Sequence, residues 1–461
     1  MTVQPVDTFT RGAAPGRLPL LGHAWPLYRD TLRFLRALPR HGDLVRIGIG
    51  PGALQVICHP ELAHEMLVDR ARDFSKGGPV MDRSRTVLGD GLGTVDGPDH
   101  RRQRRLVQPA FQRARIAAYV PVMRDRVHAL TAPWRVGEAI DAVREMGALT
   151  AEVTLSCLFD EPGRERGRAG GRHDIQAEVT ALMDGLFLRM INPFPRLPVA
   201  GSGRYRVAER RMHTLIDETI ARYRASREGG GLLRTMMASV DDEGRRFTDA
   251  ELHDQSITLL MGGTETTAAL LAWVWHLLDE NPREERRLHA EVDEVLGGRD
   301  VTAADLPLLR HTRNVIAEAL RLYPPGYLVT RRAVTDTRLG GIPVRAGTDL
   351  AYSPYILNRD ARFFDHPDAF TPDRWADRPP PGRRSPYLPF GAGARRCVGD
   401  LFGLTESQVA VATIAQRWSL RRPPGAPPSV PLARMTLRPA PAALIAVPRR
   451  DVAPGGGSMA P

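Results

Sequence analysis

Hydrophobic residues recur at helical spacing along most of the chain between about residues 61 and 322, with few strand-like alternations. Two short β-rich runs, Leu44–Ile49 and Leu54–Cys58, flank a Gly-Pro-Gly turn and predict a β-hairpin. Further β-like pieces occur at Arg331–Val334 and Thr348–Tyr352, and a last helix begins near Cys397. The pattern predicts a mainly α fold with a minor β region.

The two ends of the chain are rich in proline and glycine. Residues 1–17 and 449–461 are therefore predicted to be flexible tails. A chain of 461 residues can form two or three domains or one unusually large one, and no internal repeat is visible. We expect one domain over residues 18–448.

The longest apolar stretch, Ser256–Leu278, is long enough to cross a bilayer. It contains Glu265 near its middle, and an acid at the bilayer midplane is costly. A helix in the centre of a large protein fits the pattern better. Because residues 1–17 also lack the apolar core of a signal peptide, we expect no transmembrane anchor and a cytoplasmic location.

The net charge of +11 comes almost entirely from arginine, because Lys76 is the only lysine. A basic surface can attract an acidic protein partner. The run Arg101–Arg105 also permits an alternative interpretation as a nucleic-acid stripe, although we expect no nucleic-acid partner. Three cysteines cannot form a disulfide framework, and their odd number fits a reducing compartment.

The most specific feature is an F-x-x-G-x-R-x-C-x-G pattern over Phe390–Gly399. A cysteine just before a helix lies where unpaired N–H groups stabilise a thiolate. Gly391 permits the tight loop that directs those groups at the sulfur. Gly399 lets the helix approach a flat ligand closely. Cys397 is thus predicted to be a thiolate ligand for a metal.

This loop resembles the heme-binding signature of the cytochrome P450 family, and the likeness continues through Phe402 and Glu406. In place of the commoner alanine, this chain has Gly403. The resemblance implies the mainly α cytochrome P450 fold, heme b with Cys397 as the iron ligand, and electron donation from the thiolate that favours O–O cleavage. Phe390 and Arg395 are then expected to contact the heme, Arg395 at a propionate.

A second motif interrupts the apolar stretch with two glycines and three threonines, which are poor helix formers. It resembles the family's small-G-x-acid-T helix, with Gly262 at the small position. The resemblance implies that the backbone opens beside a ligand and that Glu265 and Thr266 are catalytic, holding water and delivering protons. An intact acid–alcohol pair favours O₂-dependent monooxygenation.

Two further groups of residues take their expected roles from the resemblance. Heme propionates would be bound by His100 and Arg104, which share a helix face, and by Arg331, with Arg332 as the alternative. The same helical spacing leaves Arg101, Arg102 and Arg105 for solvent or a partner. A buried network that braces the heme loop, without taking part in bond-making, would consist of Glu318, Arg321 and Arg374.

The predicted activity is hydroxylation of a small hydrophobic molecule with O₂ and electrons from a separate ferredoxin and ferredoxin reductase, by a monomeric enzyme. The segments expected to contact the substrate are largely apolar: residues 76–92, 181–197, 258–262, 327–329 and 436–437. The Leu20–His23 segment and the 97–105 stretch look most like actinobacterial members that oxidise sesquiterpenes. Alternatives are a peroxide-driven or rearranging heme-thiolate enzyme, and a heme sensor or basic nucleic-acid-binding protein.

Overall fold

The computed structural model describes residues 9–50, 52–159, 171–191, 202–225, 230–376 and 385–449. Helices predominate among them, which confirms the predicted mainly α class. The α-helices are α1 Ala24–Arg29, α2 Thr31–Ala37, α3 Pro60–His64, α4 Pro79–Leu88, α5 Gly97–Val107, α6 Arg113–Thr131, α7 Ala142–Phe159, α8 Gly171–Ile191, α9 Ser202–Ala225, α10 Gly231–Ala238, α11 Asp249–Glu280, α12 Pro282–Leu296, α13 Arg310–Leu322, α14 Pro354–Leu357 and α15 Asp400–Ala415.

The minor β region consists of four small sheets. Its strands are β1 Arg11–Ala13, β2 Leu44–Ile49, β3 Gly52–Ile57, β4 Phe74–Ser75, β5 Ala139–Asp141, β6 Val329–Ala333, β7 Thr337–Leu339, β8 Ile342–Val344, β9 Asp349–Tyr352, β10 Trp418–Arg421, β11 Pro431–Ala433, β12 Leu437–Pro439 and β13 Ala443–Pro448. The largest sheet has the order β1-β2-β3-β9-β6-β4, and the predicted hairpin is its antiparallel β2–β3 pair.

The N-terminal part of the chain is more ordered than the sequence suggested. Residues 1–17 were expected to form a flexible tail, but Arg11–Ala13 form β1, which pairs in parallel with β2. Gly12 permits this pairing, because it lies so close to the His41 carbonyl that a Cβ there would clash. The other expected tail, apart from Arg449, lies outside the described residues, as do residues 1–8.

The central helix α11 organises the fold, with α7, α9, α13 and α15 packed around it. It begins at a capping box in which Thr248 and Glu251 satisfy each other's backbone N–H groups. By length and composition it could cross a membrane, yet 72% of its most apolar window is buried inside the protein. Trp273 and Trp275 are almost completely enclosed, so α11 has the character of a core helix.

Candidate active site

The loop that carries Cys397 comes immediately before α15. Gly391 and Gly393 both have a φ of 68°, in the left-handed region that favours glycine. A Cβ at Gly393 would lie 2.2 Å from the Leu67 carbonyl oxygen, so a larger residue cannot enter without moving the backbone. The Cys397 N–H donates to the Phe390 carbonyl oxygen at 2.9 Å. These constraints fix the position of the cysteine.

The Cys397 thiol is partly accessible to solvent, yet enough protein surrounds it for burial to raise its pKa. The Gly399 N–H bonded to the sulfur and the nearby Arg104 lower the pKa, but by less than burial raises it. The sequence predicted a thiolate favoured by the helix end, and burial outweighs that effect. A metal ion bound at the sulfur would stabilise the thiolate, because a coordinating thiol is deprotonated outright.

The second part of the candidate site is on α11, which exposes a short stretch although the residues around it are buried. Gly262 is exposed, and a Cβ added there would meet no atom within 4 Å. The Thr266 hydroxyl donates to the Gly262 carbonyl oxygen at 2.5 Å. The helix itself is continuous, so the expected opening of the backbone does not take the form of a break. Accessible space beside Gly262 is present nevertheless.

Glu265 turns toward the β11–β12 hairpin. Its Oε1 accepts from the Thr436 hydroxyl at 2.9 Å and lies 3.9 Å from Arg438 Nη1. Arg438 in turn pairs with Asp184 on α8 at 3.2 Å. Burial raises the pKa of Glu265 to about 7, against the opposing effects of Thr436 and Arg438. Glu265 can therefore exchange a proton near neutral pH.

Sequence reasoning missed this environment of Glu265. Thr436 was expected to contact substrate, and Arg438 was not singled out. No local signal could have revealed the pairing, because Thr436 and Glu265 are 171 positions apart in sequence. Nor does the structure show a hydrogen bond between the side chains of Glu265 and Thr266 among the described residues, so any proton passing between them needs a water molecule or a rotated side chain.

Five basic side chains converge near the Cys397 loop. Lys76, His100 and Arg331 are buried, and Arg104 and Arg395 are partly buried. Burial, followed by the nearby Lys76, lowers the pKa of His100 to about 3. Burial also lowers the pKa of Lys76 to about 7. The nearby Asp96 carboxylate opposes this shift, and the Arg331 charge adds to it.

Asp96 is the acid that faces this group. It lies 2.7 Å from Arg395 Nη2, and its other oxygen accepts from the Lys76 N–H at 2.6 Å. The Arg331 Nε is buried and has no hydrogen-bond partner among the residues that the structure describes. Cations that depress one another's pKa in a buried place require further anions. The cluster is thus suited to bind a dianion such as the two propionates of heme.

The structure also distinguishes between the two arginines considered for the third propionate position. Arg331 is buried in the cluster, whereas Arg332 forms a two-pronged ion pair with Asp349 at 2.7 and 2.9 Å. Lys76 was not among the predicted heme contacts. Its being the only lysine in an arginine-rich chain was the one available signal.

The run from Arg101 to Arg105 does not form a free basic stripe. Arg102, expected to face solvent or a partner, is partly buried and pairs with Asp241 at 2.8 Å and with Glu251 at 2.5 Å. Arg105 pairs with Asp242. Because acids on neighbouring segments neutralise these side chains, the nucleic-acid interpretation has no structural support here.

The Glu318–Arg321 pair is completely buried. Glu318 accepts from Arg321 Nε and Nη2 at 2.9 and 2.8 Å, from Arg374 Nε at 3.4 Å and from Trp375 Nε1 at 2.9 Å. Arg321 also donates to the carbonyl oxygens of Asn358, Pro367 and Ala369. The three expected members of the network are together, and Trp375 is an additional one. Such contacts hold the segment before the Cys397 loop in place.

Several segments expected to contact substrate lie close to α11 or to neighbouring parts of the chain. A Cβ at Gly91 would lie 2.2 Å from Thr258 Oγ1, so residues 76–92 pass directly over the central helix. The Tyr327 hydroxyl donates to the Arg434 carbonyl oxygen at 3.0 Å, and the Arg434 guanidinium lies over the Phe187 ring. Residues 192–197 of the expected α8 segment lie outside the described residues.

The donor set fits heme b. An accessible sulfur follows a glycine loop, a small-residue stretch leaves open space on the central helix, and a buried cationic cluster with an unpartnered Arg331 Nε lies nearby. These are a thiolate ligand, room for a ligand on the other face, and counter-charges for two carboxylates. No group of three or more His, Cys, Asp or Glu side chains suited to a metal ion occurs in the described ranges.

The site belongs to the class of heme-thiolate enzymes, and comparison with known proteins identifies the family. The cytochrome P450 family model matches residues 13–446. The chain therefore belongs to the cytochrome P450 family, whose members are monooxygenases that carry heme and use O₂ and redox partners.

Three similar proteins come from Streptomyces. Cyclooctatin synthase of Streptomyces melanosporofaciens is 46% identical over 95% of this chain and 95% of its own length. Cyclooctat-9-en-7-ol 5-monooxygenase of the same organism is 42% identical over 91% of this chain and 92% of its own. Pentalenene oxygenase of Streptomyces avermitilis is 40% identical over 91% and 93%, respectively.

Proposed function

We propose that this cytochrome P450 hydroxylates a terpenoid, a small hydrophobic ring compound, using O₂. The observation that carries the proposal is the combination of the Cys397 loop with the acid–alcohol pair Glu265 and Thr266 on α11. Its substrate class is supported by three relatives that are 40–46% identical over more than nine tenths of the chain. Their names refer to pentalenene, to cyclooctat-9-en-7-ol and to cyclooctatin.

We assign Cys397 as the iron ligand. Phe390, Gly391 and Gly399 shape the loop around the sulfur, and His100, Arg104, Arg331 and Arg395 bind the propionates. When bound, the heme supplies the O–O bond cleavage that makes oxygen reactive toward a C–H bond. The balanced reaction is R–H + O₂ + 2 electrons + 2 protons giving R–OH + H₂O.

Two protons are consumed in each turnover, and the protein must provide them where water is excluded. Glu265, with a pKa of about 7, can hold a proton and release it at neutral pH. Thr266 can orient a water molecule because its hydroxyl already contacts the accessible stretch at Gly262. Arg438 and Asp184 lead from Glu265 to α8, and they offer a polar connection toward the surface.

Other parts of the proposal concern the context of the enzyme. We propose that residues 18–448, together with β1, form a single catalytic domain. Electrons come from a ferredoxin reduced by its reductase, and the exposed Arg101 offers a basic contact for an acidic donor. Arg396 is also exposed, although it already pairs with Asp400 at 2.7 Å. The enzyme acts as a monomer in the cytoplasm, and the odd number of cysteines suits this reducing compartment.

The ferrous–CO spectrum is the test of the iron ligand. A Soret band displaced strongly to the red indicates a thiolate, and a histidine-type band would contradict the assignment. A Cys397→Ser variant should lose this band. Unchanged spectrum and turnover in that variant would exclude Cys397 as the ligand. Cys157→Ser is the matched control, because that thiol is buried in α7.

The substrate class needs a separate experiment. A panel of cyclic terpenes should include members that shift the heme from low to high spin, and those members should be hydroxylated when O₂, ferredoxin, its reductase and NADPH are supplied. Turnover that ignores O₂ and reductant but responds to peroxide would instead select the peroxide-driven alternative.

A further inference from the structure

An exposed apolar surface surrounds α1 and the tip of the β2–β3 hairpin. We call it the N-terminal patch. Leu20 is 92% exposed and Tyr28 75% exposed. The remaining members are also exposed large hydrophobic residues: Leu18, Leu21, Trp25 and Ile49. Single exposed apolar residues are normal on proteins, but a contiguous group marks an interaction surface.

Backbone hydrogen bonds show that the patch is contiguous. Leu18 and Gly22 exchange hydrogen bonds across a tight turn, and Gly22 forms a β-bridge with Ile49. The Gly50 N–H donates to the Leu21 carbonyl oxygen at 3.2 Å. The rings of Trp25 and Tyr28 are 6.4 Å apart on α1. The turn, the strand end and the helix thus present their apolar side chains side by side.

Leu20 has an unusual backbone for so exposed a residue. Its φ is 63°, in the left-handed region where glycine, asparagine and aspartate are normally found. Such a conformation is mildly unfavourable for leucine and persists where the surroundings impose it. The turn therefore holds an apolar side chain outward at a position where a polar residue would fit the backbone better.

The charges around the N-terminal patch are almost all positive. Residues 9–49 contain seven arginines and two aspartates, and no other acidic residue or lysine. Arg17, Arg29 and Arg46 are exposed. These three take part in no ion pair among the described residues. A second copy of this chain would bring the same positive charges together, so self-association through this surface is unfavourable.

We propose that the N-terminal patch binds the surface of an anionic phospholipid bilayer, with its leucines inserted at the level of the acyl boundary. Trp and Tyr prefer the interface between hydrocarbon and headgroups, and each arginine near an anionic surface adds attraction. The acidic patch of a protein would satisfy the arginines but not the apolar side chain of Leu20. The combination of the two chemistries favours lipid.

The proposed function gives membrane binding a purpose, because hydrophobic terpenoids partition into membranes and the bound enzyme would meet them there. The binding itself does not depend on that function. The apolar core beneath the sheet that carries the patch includes Val45, Tyr327 and Leu437, two of which belong to the segments expected to contact substrate. The sheet that carries the N-terminal patch therefore packs against two of the segments expected to contact substrate.

The test is co-sedimentation of the full-length holoenzyme with vesicles, in the absence of substrate, so that failure of the proposed function leaves the result readable. We expect binding to phosphatidylglycerol-containing vesicles and much weaker binding to pure phosphatidylcholine vesicles. Raising the salt concentration should reduce the binding. No binding to the anionic vesicles would overturn the proposal.

Leu20→Asn isolates the apolar contribution because asparagine tolerates the positive φ. We expect about tenfold weaker partition into anionic vesicles, with an unchanged or raised thermal midpoint. A lowered midpoint would show that another part of the protein covers Leu20, which would also overturn the proposal. Leu308→Asn is the matched control, because Leu308 is an exposed leucine outside the patch, and its partition should equal that of the wild type.

The double variant Arg17→Glu and Arg29→Glu tests the charge contribution. It should abolish the preference for anionic over neutral vesicles while leaving the ferrous–CO spectrum unchanged. Analytical ultracentrifugation measures the oligomeric state of the wild type and of Leu20→Asn. A dimer that Leu20→Asn dissolves, together with equal vesicle binding by both forms, would assign the patch to self-association instead.

Discussion

Replacing Thr436 by valine should move the titration of Glu265 by a predictable amount. The Thr436 hydroxyl donates to Glu265 Oε1 at 2.9 Å, and this hydrogen bond favours the charged carboxylate. A hydrogen bond to a charged group contributes about 1.5–3 kcal/mol, and each pKa unit corresponds to about 1.4 kcal/mol. Loss of the bond should therefore raise the pKa of Glu265 by about one to two units, starting from about 7.

The assay is the pH dependence of coupled turnover, expressed as product formed per NADPH oxidised. If the protonated Glu265 supplies protons, coupling falls as the pH rises through its pKa. The wild-type enzyme should lose coupling near pH 7 and the Thr436→Val enzyme at a pH about one to two units higher. The charged groups that face Glu265 are Arg438 and, beyond it, Asp184.

The matched control is Thr413→Val on α15, a buried threonine whose hydroxyl has no hydrogen-bond partner. It should leave the midpoint where it is. Infrared difference spectra of the carboxyl stretch, compared between Glu265→Gln and the other enzymes, would identify the titrating group. A midpoint that does not move, or that moves to lower pH, refutes the role given to the Thr436 hydrogen bond.

Three further predictions concern the parts that hold the heme. Glu318→Gln should destabilise the protein by about 3–5 kcal/mol, because it leaves the buried Arg321 charge uncompensated. Chemical denaturation measures this loss. The control is the exposed pair of Arg224 and Asp249, where Asp249→Asn should cost less than about 1 kcal/mol. Gly393→Ala should impair heme incorporation, seen as a lower Soret absorbance per chain, because its Cβ would meet the Leu67 carbonyl oxygen at 2.2 Å; Gly137→Ala, with an equally positive φ but open space, should load normally. Lys76→Met should speed heme transfer to excess apomyoglobin by roughly tenfold. The difference in rate from the wild type should shrink as rising pH removes the lysine proton. Equal rates at all pH values would exclude Lys76 from the propionate site.

The fold class and the Cys397 loop were predictable because their signals are local. The β-rich run Leu44–Ile49 predicts a strand over the range that the structure shows. Glycine at residues 391 and 393 anticipates a positive φ at both. The short strands β1 and β5 were missed, since three residues carry no readable periodicity and their pairing with β2 and β13 depends on distant parts of the chain.

The partners of the site residues were less predictable than the residues themselves. Helical spacing correctly placed His100 inward, but it left Arg102 to solvent because nothing in α5 indicates Asp241 and Glu251 as its partners. Similarly, the position of Arg331 next to Arg332 was ambiguous in sequence. Burial of one and pairing of the other with Asp349 separate them only in three dimensions.

The acid–alcohol motif shows why geometry adds chemistry to a recognised pattern. Glu265 and Thr266 are neighbours in sequence, yet consecutive helix positions point about 100° apart. The structure accordingly gives them different tasks, since Thr266 contacts the accessible stretch at Gly262 while Glu265 is held by Thr436. The pKa that makes Glu265 useful near neutrality depends on burial and on a hairpin from the far end of the chain. Proton supply in this enzyme is therefore set by tertiary packing around the motif as much as by the motif.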